Sequence, residues 1–193
     1  REITGLASHR IARLGIARSF QMPDLPPEMR LVDAVAVGAV AREDASIGEA
    51  LLGPATASAD RARARATALL ERFALAEHAV RPCAGLPHGV RRRADVARAL
   101  ATTPRLLILD EPAAGLTEAE ATGLARVLRG LAESGPAILV IEHNVDFLMP
   151  LADRLLCLDR GALIAAGPPR TVVADPRVAA AYFGDATAVE ATA

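Results

Sequence analysis

The chain has 193 residues, of which 52% are hydrophobic. This length and composition are enough for one packed hydrophobic core and favour one domain over two. Its 22 basic and 23 acidic residues give a formal net charge of −1, which excludes a disordered polyelectrolyte and a strongly basic nucleic-acid binder. No apolar run reaches the roughly 20 residues of a membrane span. The two cysteines, Cys83 and Cys157, are far apart and indicate neither a disulfide framework nor a zinc site.

The first 21 residues predict a short helix followed by a strand. Ser8 is placed to cap a helix that runs through Leu14, and Gly15 ends it. Residues 16–20 then have the pattern of a strand, which puts Gln21 at its carboxyl end.

Residues 22–80 predict a helical insert. A proline-rich loop covers residues 22–27, and a mostly apolar helix follows over about 31–40. After a break at Gly53 and Pro54, a long helix begins near Ser58 or Asp60. Its arginines are expected to face solvent; they are Arg61, Arg63 and Arg65.

The second half alternates strands and helices, which is typical of an α/β domain with a mostly parallel sheet. The continuous apolar runs 105–111 and 137–141 predict two buried strands. Between them, Thr117 and Glu120 form a capping box for a helix that ends near residue 133. A short helix over 145–151 and two strands, 154–158 and 163–166, complete the domain, and residues 185–193 are expected to be a disordered tail.

Polar side chains follow three of the predicted strands. They are Gln21, Asp110, Glu111 and His143. Functional groups of open α/β sheets collect at the carboxyl ends of the strands, and this set suits phosphoryl transfer, with one carboxylate for Mg²⁺ and another to polarise water. Singly, each residue also has an ordinary interpretation, as a strand terminus or as a hydrogen-bonded structural histidine.

Four stretches resemble the nucleotide-binding domain of ABC transporters, and specifically the ATP-binding subunits of branched-chain amino acid importers. They are HRIARLGIARSFQ at 9–21, DEPAAGL at 110–116, IEH at 141–143 and AAYFG at 180–184. The resemblance covers residues 3–184. It implies a P-loop NTPase-like α/β fold over residues 1–184, with a helical subdomain at about 22–103.

The resemblance also implies roles for the residues at the strand ends. Gln21 matches the Q-loop glutamine, which contacts Mg²⁺ or the attacking water, and Asp110 matches the Walker B aspartate that holds Mg²⁺. Glu111 matches the catalytic glutamate, and His143 matches the histidine near the γ-phosphate of ATP. Gly115 lies in the D-loop, residues 114–117.

Residues 86–90 stand where the family carries its signature Leu-Ser-x-Gly-Gln. The matching residues are Leu86, Pro87, His88, Gly89 and Val90, at the start of a helix whose N–H groups would face ATP held by a second nucleotide-binding domain. Pro87 and Val90 replace the serine and the glutamine, so the ATPase is expected to be weakened. The three arginines that follow, residues 91–93, are interpreted as a solvated helix face with phosphate or carboxylate contacts.

One family motif, the phosphate loop G-x-x-x-x-G-K-[ST], does not occur within the 193 residues, since they include no lysine. The N-terminal portion with this loop is expected upstream of Arg1, and the chain alone is expected to be inactive. The resemblance implies ATP and Mg²⁺ as ligands. It also implies two kinds of partner: a second nucleotide-binding domain, in a homo- or heterodimer, and transmembrane permease subunits that hold the protein at the cytoplasmic face of the inner membrane.

Two other hypotheses remain open from the sequence. The degenerate residues Pro87 and Val90 favour a non-catalytic partner that binds an intact paralogue, whereas Asp110, Glu111 and His143 argue against it. The second hypothesis is an unrelated α/β binding domain whose motifs are accidental.

Overall fold

The computed structural model describes residues 2–19, 23–40, 57–133 and 135–183. The chain divides into two compact units, residues 1–144 and residues 145–193, and each is described by itself.

A parallel sheet of three strands forms the centre of the first unit. The strands lie in the order β1, β2, β3, and their bounds are Ile16–Arg18, Leu106–Asp110 and Ala137–Ile141. In the register, Ala17 is opposite Leu107, and Leu107 is opposite Ile138. Because all three strands are parallel, their carboxyl ends meet at one edge of the sheet, as the sequence predicts.

The prediction that both apolar strands are buried is correct for β2 and wrong for β3. Leu107 and Leu109 of β2 are 0% exposed, whereas Leu139 and Ile141 of β3 are 45% and 49% exposed. The physical reason is position, because β2 pairs on both sides while β3 pairs only with β2 in the described part of the chain.

The first unit also contains α-helices. Their bounds are Ser8–Arg13 for α1, Leu31–Val40 for α2, Ala57–Arg72 for α3, His88–Ala101 for α4 and Glu118–Ala132 for α5. Thr117 caps α5 and forms the predicted capping box with Glu120. The predicted cap of α1 is wrong, because Ala7 occupies the N-cap position and makes no side-chain hydrogen bond there.

Gly38 permits a very close approach of α2 to α4. A β-carbon at Gly38 would lie 2.1 Å from the main-chain oxygen of Arg98 and 3.1 Å from the β-carbon of Ala101. A main-chain oxygen inside a helix cannot rotate away, so the two helices must separate to admit a methyl group.

We therefore expect Gly38→Ala to lower the free energy of unfolding by about 2 kcal/mol, because overpacking outweighs the helix propensity of alanine. Urea denaturation measures this change. Gly123→Ala in α5 is the matched control, since no described atom lies within 4 Å of the added β-carbon, and it should raise stability slightly. Equal responses from the two variants would contradict the close approach as the cause.

Asp33 of α2 ties this helix to α3. Its carboxylate accepts hydrogen bonds from Nε of Arg30 at 2.7 Å and from Nε of Arg63 at 3.0 Å. Burial raises the pKa of Asp33, but the hydrogen bonds and charges of the two arginines outweigh burial, so the pKa lies below its usual 3.8.

The low pKa makes the contribution of Asp33 depend on pH. A carboxyl whose pKa is lower in the folded state stabilises the fold above its unfolded pKa and loses that contribution as the pH falls through the folded value. Asp33→Asn should therefore reduce stability by about 1 kcal/mol at neutral pH. Thermal unfolding should show the difference from wild type closing as the pH falls below 3.8, the usual value. A difference that is constant with pH would contradict this role.

The sequence predicts that the arginines of α3 face solvent, but two of them also bind neighbouring helices. Besides the ion pair of Arg63 with Asp33, Arg65 donates hydrogen bonds to the main-chain oxygens of Ala101 and Leu100 at 3.0 and 3.3 Å. Those carbonyls belong to the last turn of α4, and that of Leu100 also accepts from the N–H of Thr103. The arginines thus fasten α3 to its neighbours.

The second unit contains an antiparallel hairpin among short helices. Strands β4 (Leu155–Asp159) and β5 (Ala162–Gly167) pair with each other. Arg160 and Gly161 connect them with φ angles of 47° and 81°, the conformation of a tight hairpin turn. The helices are α6 (Val145–Leu148), α7 (Pro169–Val173) and α8 (Pro176–Phe183). The predicted tail at 185–193 lies outside the described residues.

Candidate functional site

Asp110 and Glu111 lie at the carboxyl end of the central strand. Asp110 is the last residue of β2, and its carboxylate accepts a hydrogen bond from Arg18 of β1 at 2.9 Å. The Asp110 side chain is 25% exposed, so an oxygen ligand is available at the surface of the sheet edge. Gln21, the other predicted residue near β1, lies outside the described residues.

The structure brings Glu111 and His143 together. Nδ1 of His143 lies 3.6 Å from Oε1 of Glu111, and the two side chains are 72% and 32% exposed. Glu111 has a φ of 46°, a conformation that costs a non-glycine residue about 1 to 3 kcal/mol. Its N–H donates to the main-chain oxygen of Ile141 at 2.8 Å. This hydrogen bond joins the residue after β2 to the last residue of β3.

The signature residues surround the start of α4. Leu86 is 4% exposed, and Pro87 occupies the N-cap position with no side-chain hydrogen bond to the helix. His88 is the first helical residue, and Gly89 follows it in the first turn. Val90 is 4% exposed and therefore belongs to the core.

Gly115 lies directly against the first residue of α4, His88. Gly115 has a φ of 72°, and a β-carbon there would be 2.9 Å from Cδ2 of His88 and 3.1 Å from Nε2. Gly89 approaches Glu120 in the same way, since its β-carbon would lie 2.7 Å from Oε1. The beginning of α4 therefore packs against the segment that connects Glu111 to α5.

The prediction that arginines 91–93 form a solvated face is wrong for Arg92. It is 1% exposed, and its guanidinium donates to the main-chain oxygens of Asp110, at 2.6 Å, and of Glu111. Burial lowers the pKa of Arg92, while the charges of nearby carboxylates, Asp95 first and then Glu142, oppose that shift. Arg93 makes a carboxylate contact of the predicted kind, with Glu120 at 3.3 Å.

Sequence reasoning missed Glu142 as well as Arg92. The Glu142 side chain is 1% exposed and lies between the residues that follow β2 and those that follow β3. The available signal was the position of an acidic residue directly after an apolar strand. A charge next to a candidate catalytic histidine is easily assigned to solvent, and one donor to Glu142, the N–H of Ala113, comes from another segment.

Asp110 is the residue that suits a magnesium ion. The described residues contain no group of three or more His, Cys, Asp or Glu side chains arranged to hold a metal. Mg²⁺ in nucleotide sites is commonly held by one or two carboxylates together with water and substrate phosphates, so a single carboxylate at a strand end fits that ion.

Comparison with solved structures establishes the class of fold. The chain matches the ADP conformation of MJ1267, an ATP-binding cassette of an ABC transporter, with a TM-score of 0.78 and 26% sequence identity. The match covers 96% of this chain and 74% of that one. The protein is thus an α/β domain of the P-loop NTPase type, as predicted.

Sequence comparisons identify the family. A family model described as ABC transporter matches residues 1–114, and one described as branched-chain amino acid ATP-binding cassette transporter matches residues 162–188. The chain is 36% identical to the high-affinity branched-chain amino acid transport ATP-binding protein LivG of Salmonella typhimurium. It is also 36% identical to BraF of Pseudomonas aeruginosa, which has the same description. Each match covers 96% of this chain and 74% of the relative.

The chain therefore belongs to the ABC transporter family, as an ATP-binding domain. This excludes the hypothesis of an unrelated α/β domain with accidental motifs. The relatives are ATP-binding transport proteins, so the hypothesis of a non-catalytic partner is not favoured. None of the described helices combines the length and apolar character needed to cross a membrane.

Proposed function

We propose that this chain forms the greater part of an ATP-hydrolysing subunit of an ABC importer for branched-chain or related amino acids. The observation that carries the proposal is the distance of 3.6 Å between Glu111 and His143 at the ends of two adjacent parallel strands. A carboxylate and an imidazole so placed can polarise one water and contact one γ-phosphate. The sequence relationship to LivG and BraF supports the choice of solute class.

In this mechanism Glu111 is the general base. Its carboxylate orients the attacking water and accepts a proton from it. The exposed side chain of His143 contacts the γ-phosphate and holds Glu111 in place. Asp110 would hold Mg²⁺, which supplies charge stabilisation to the phosphate oxygens. Gln21 is proposed as the residue that links this site to the transmembrane subunit.

The partners follow from the same proposal. A second nucleotide-binding domain presents the N-terminus of its own α4, residues 86–89, to the nucleotide, where helix N–H groups favour phosphate. Leu86 and Gly89 shape that turn, and the ring of His88 lies close to Gly115. Permease subunits would bind the helical subdomain at about 22–103 and keep the protein at the cytoplasmic face of the inner membrane.

Uptake of radiolabelled leucine tests the choice of solute. Cells that lack this gene should lose leucine uptake at low external concentration, and the wild-type gene should restore it. Unlabelled isoleucine and valine should compete, whereas an unrelated sugar should not. Normal leucine uptake in the deletion strain, together with a defect for another solute, would show that the family assignment is right and the solute class wrong.

A further inference from the structure

Glu142 is a buried carboxylate for which the proposed mechanism has no use. It follows the last residue of β3 and precedes His143, yet its side chain is 1% exposed while that of His143 is 72% exposed. Burial of an ionised carboxylate is costly unless hydrogen bonds compensate for the lost water. The partners of Glu142 therefore indicate what the carboxylate does.

The two carboxylate oxygens of Glu142 accept hydrogen bonds from two different turns. Oε1 accepts a hydrogen bond from the main-chain N–H of Ala113 at 2.9 Å. Oε2 accepts from the N–H groups of His143 and Asn144, at 3.1 and 3.3 Å. Hydrogen bonds to an ionised acceptor are stronger than neutral ones, so the carboxylate joins the turn after β2 to the turn after β3.

These turns carry the proposed catalytic pair. Ala113 is in the turn that begins at Glu111, whose N–H also donates to Ile141 of β3. Arg92 also holds the start of this turn, because it donates to the main-chain oxygens of Asp110 and Glu111. A shift of either turn would change the separation of the Glu111 carboxylate and the His143 imidazole, and a displacement of about 1 Å can cost a factor of 10² in rate.

We propose that Glu142 is a positioning residue for ATP hydrolysis, whose buried carboxylate fixes the Glu111 turn against the His143 turn. This inference rests on the proposed function. It assigns no contact with ATP to Glu142, which acts through the placement of its neighbours.

The geometry requires a carboxylate with the length of glutamate. In Glu142→Gln one acceptor oxygen becomes an NH₂ group that faces an N–H donor, so one of the two turns loses its partner. Glu142→Asp keeps the charge, but its side chain is one methylene shorter and cannot serve both turns at the observed distances.

The test uses the assembled transporter and measures steady-state ATP hydrolysis. For Glu142→Gln we expect kcat to fall about 10-fold or more, while KM for ATP changes less than about 2-fold, since the residue acts on the placement of the catalytic pair. Glu133→Gln is the matched control, because that carboxylate is 68% exposed on the surface and should leave both constants unchanged.

A double-mutant cycle separates positioning from a general structural defect. In a His143→Ala background, Glu142→Gln should lower the residual rate of phosphate release less than about 2-fold, because the pair it positions is already broken. An equal loss in both backgrounds, or a rise in KM with unchanged kcat, would overturn the inference. If Glu142→Gln fails to fold, Glu142→Asp should still lower kcat about 3-fold or more, and an unchanged kcat would overturn the proposal.

The outcome for Glu111→Gln distinguishes a failure of the positioning role of Glu142 from a failure of the catalytic role of Glu111. If Glu111→Gln is inactive while Glu142→Gln keeps the wild-type kcat, the positioning role is wrong and the proposed function stands. If Glu111→Gln hydrolyses ATP at the wild-type rate, the assignment of Glu111 as the general base is wrong, and the inference about Glu142 is overturned with it. If the wild-type transporter itself hydrolyses no ATP, the proposed function is wrong.

Discussion

Glu111→Gln should lower ATP hydrolysis by roughly 10²- to 10⁴-fold in the assembled transporter, because the substitution removes the general base. The side chain keeps its size, and the N–H of Glu111 can still donate to Ile141. Binding of ATP should change less than about 2-fold, since no contact that holds the nucleotide is removed. Phosphate release and equilibrium binding of a fluorescent ATP analogue measure the two quantities separately.

Glu118→Gln provides the control for this experiment. Glu118 begins α5 and is exposed, so the same chemical change there should leave hydrolysis intact. Hydrolysis by Glu111→Gln at the wild-type rate would contradict the assigned role. An equal loss of binding and hydrolysis would show that the residue supports the nucleotide site in some way other than as a base.

Arg92→Ala is expected to lower the free energy of unfolding by about 3 kcal/mol. Arg92 is 1% exposed, and its removal leaves the main-chain oxygens of Asp110 and Glu111 without this donor. It also removes one of the positive charges near Asp95, which is 0% exposed and keeps its ion pair with Arg98 at 2.6 Å. Urea denaturation measures the loss, and the ATPase rate should fall with it because the Glu111 turn loses its support.

The exposed Arg126 of α5 offers a matched control. Arg126→Ala removes the same side chain from the surface and should change stability by less than about 0.5 kcal/mol. Arg92→Lys keeps the charge but has no planar fork of donors, so it should recover only part of the stability. A wild-type free energy of unfolding for Arg92→Ala would contradict the structural role assigned to the guanidinium.

Sequence patterns predicted the parts of the fold that depend on local signals. The apolar run of β2, the capping box of Thr117 with Glu120 and the turn at Gly161 all depend on residues close together in the chain. The same logic placed Glu111 and His143 at one edge, because parallel strands align their carboxyl ends. Their approach to 3.6 Å agrees with that prediction of geometry. Their chemical roles remain proposals.

The features that the sequence did not predict depend on contacts between distant segments. Arg92 follows a helical pattern in which a run of arginines suggests a solvated face, but its acceptors are the last residue of β2 and the residue after it. Glu142 is buried for the same kind of reason, since Ala113 supplies one of its donors. The exposure of Leu139 and Ile141 in β3 depends on which strands pair with it, and an apolar run alone does not encode that.

Simultaneous measurement of ATP hydrolysis and leucine uptake tests whether this chain drives amino acid import with ATP. The transporter that contains this chain would be reconstituted in vesicles with Mg-ATP on the side of this subunit. We predict leucine accumulation that depends on ATP, with phosphate release that rises with it, and the loss of both in Glu111→Gln. Leucine uptake that continues in Glu111→Gln, or hydrolysis that persists while uptake is absent, would contradict the account.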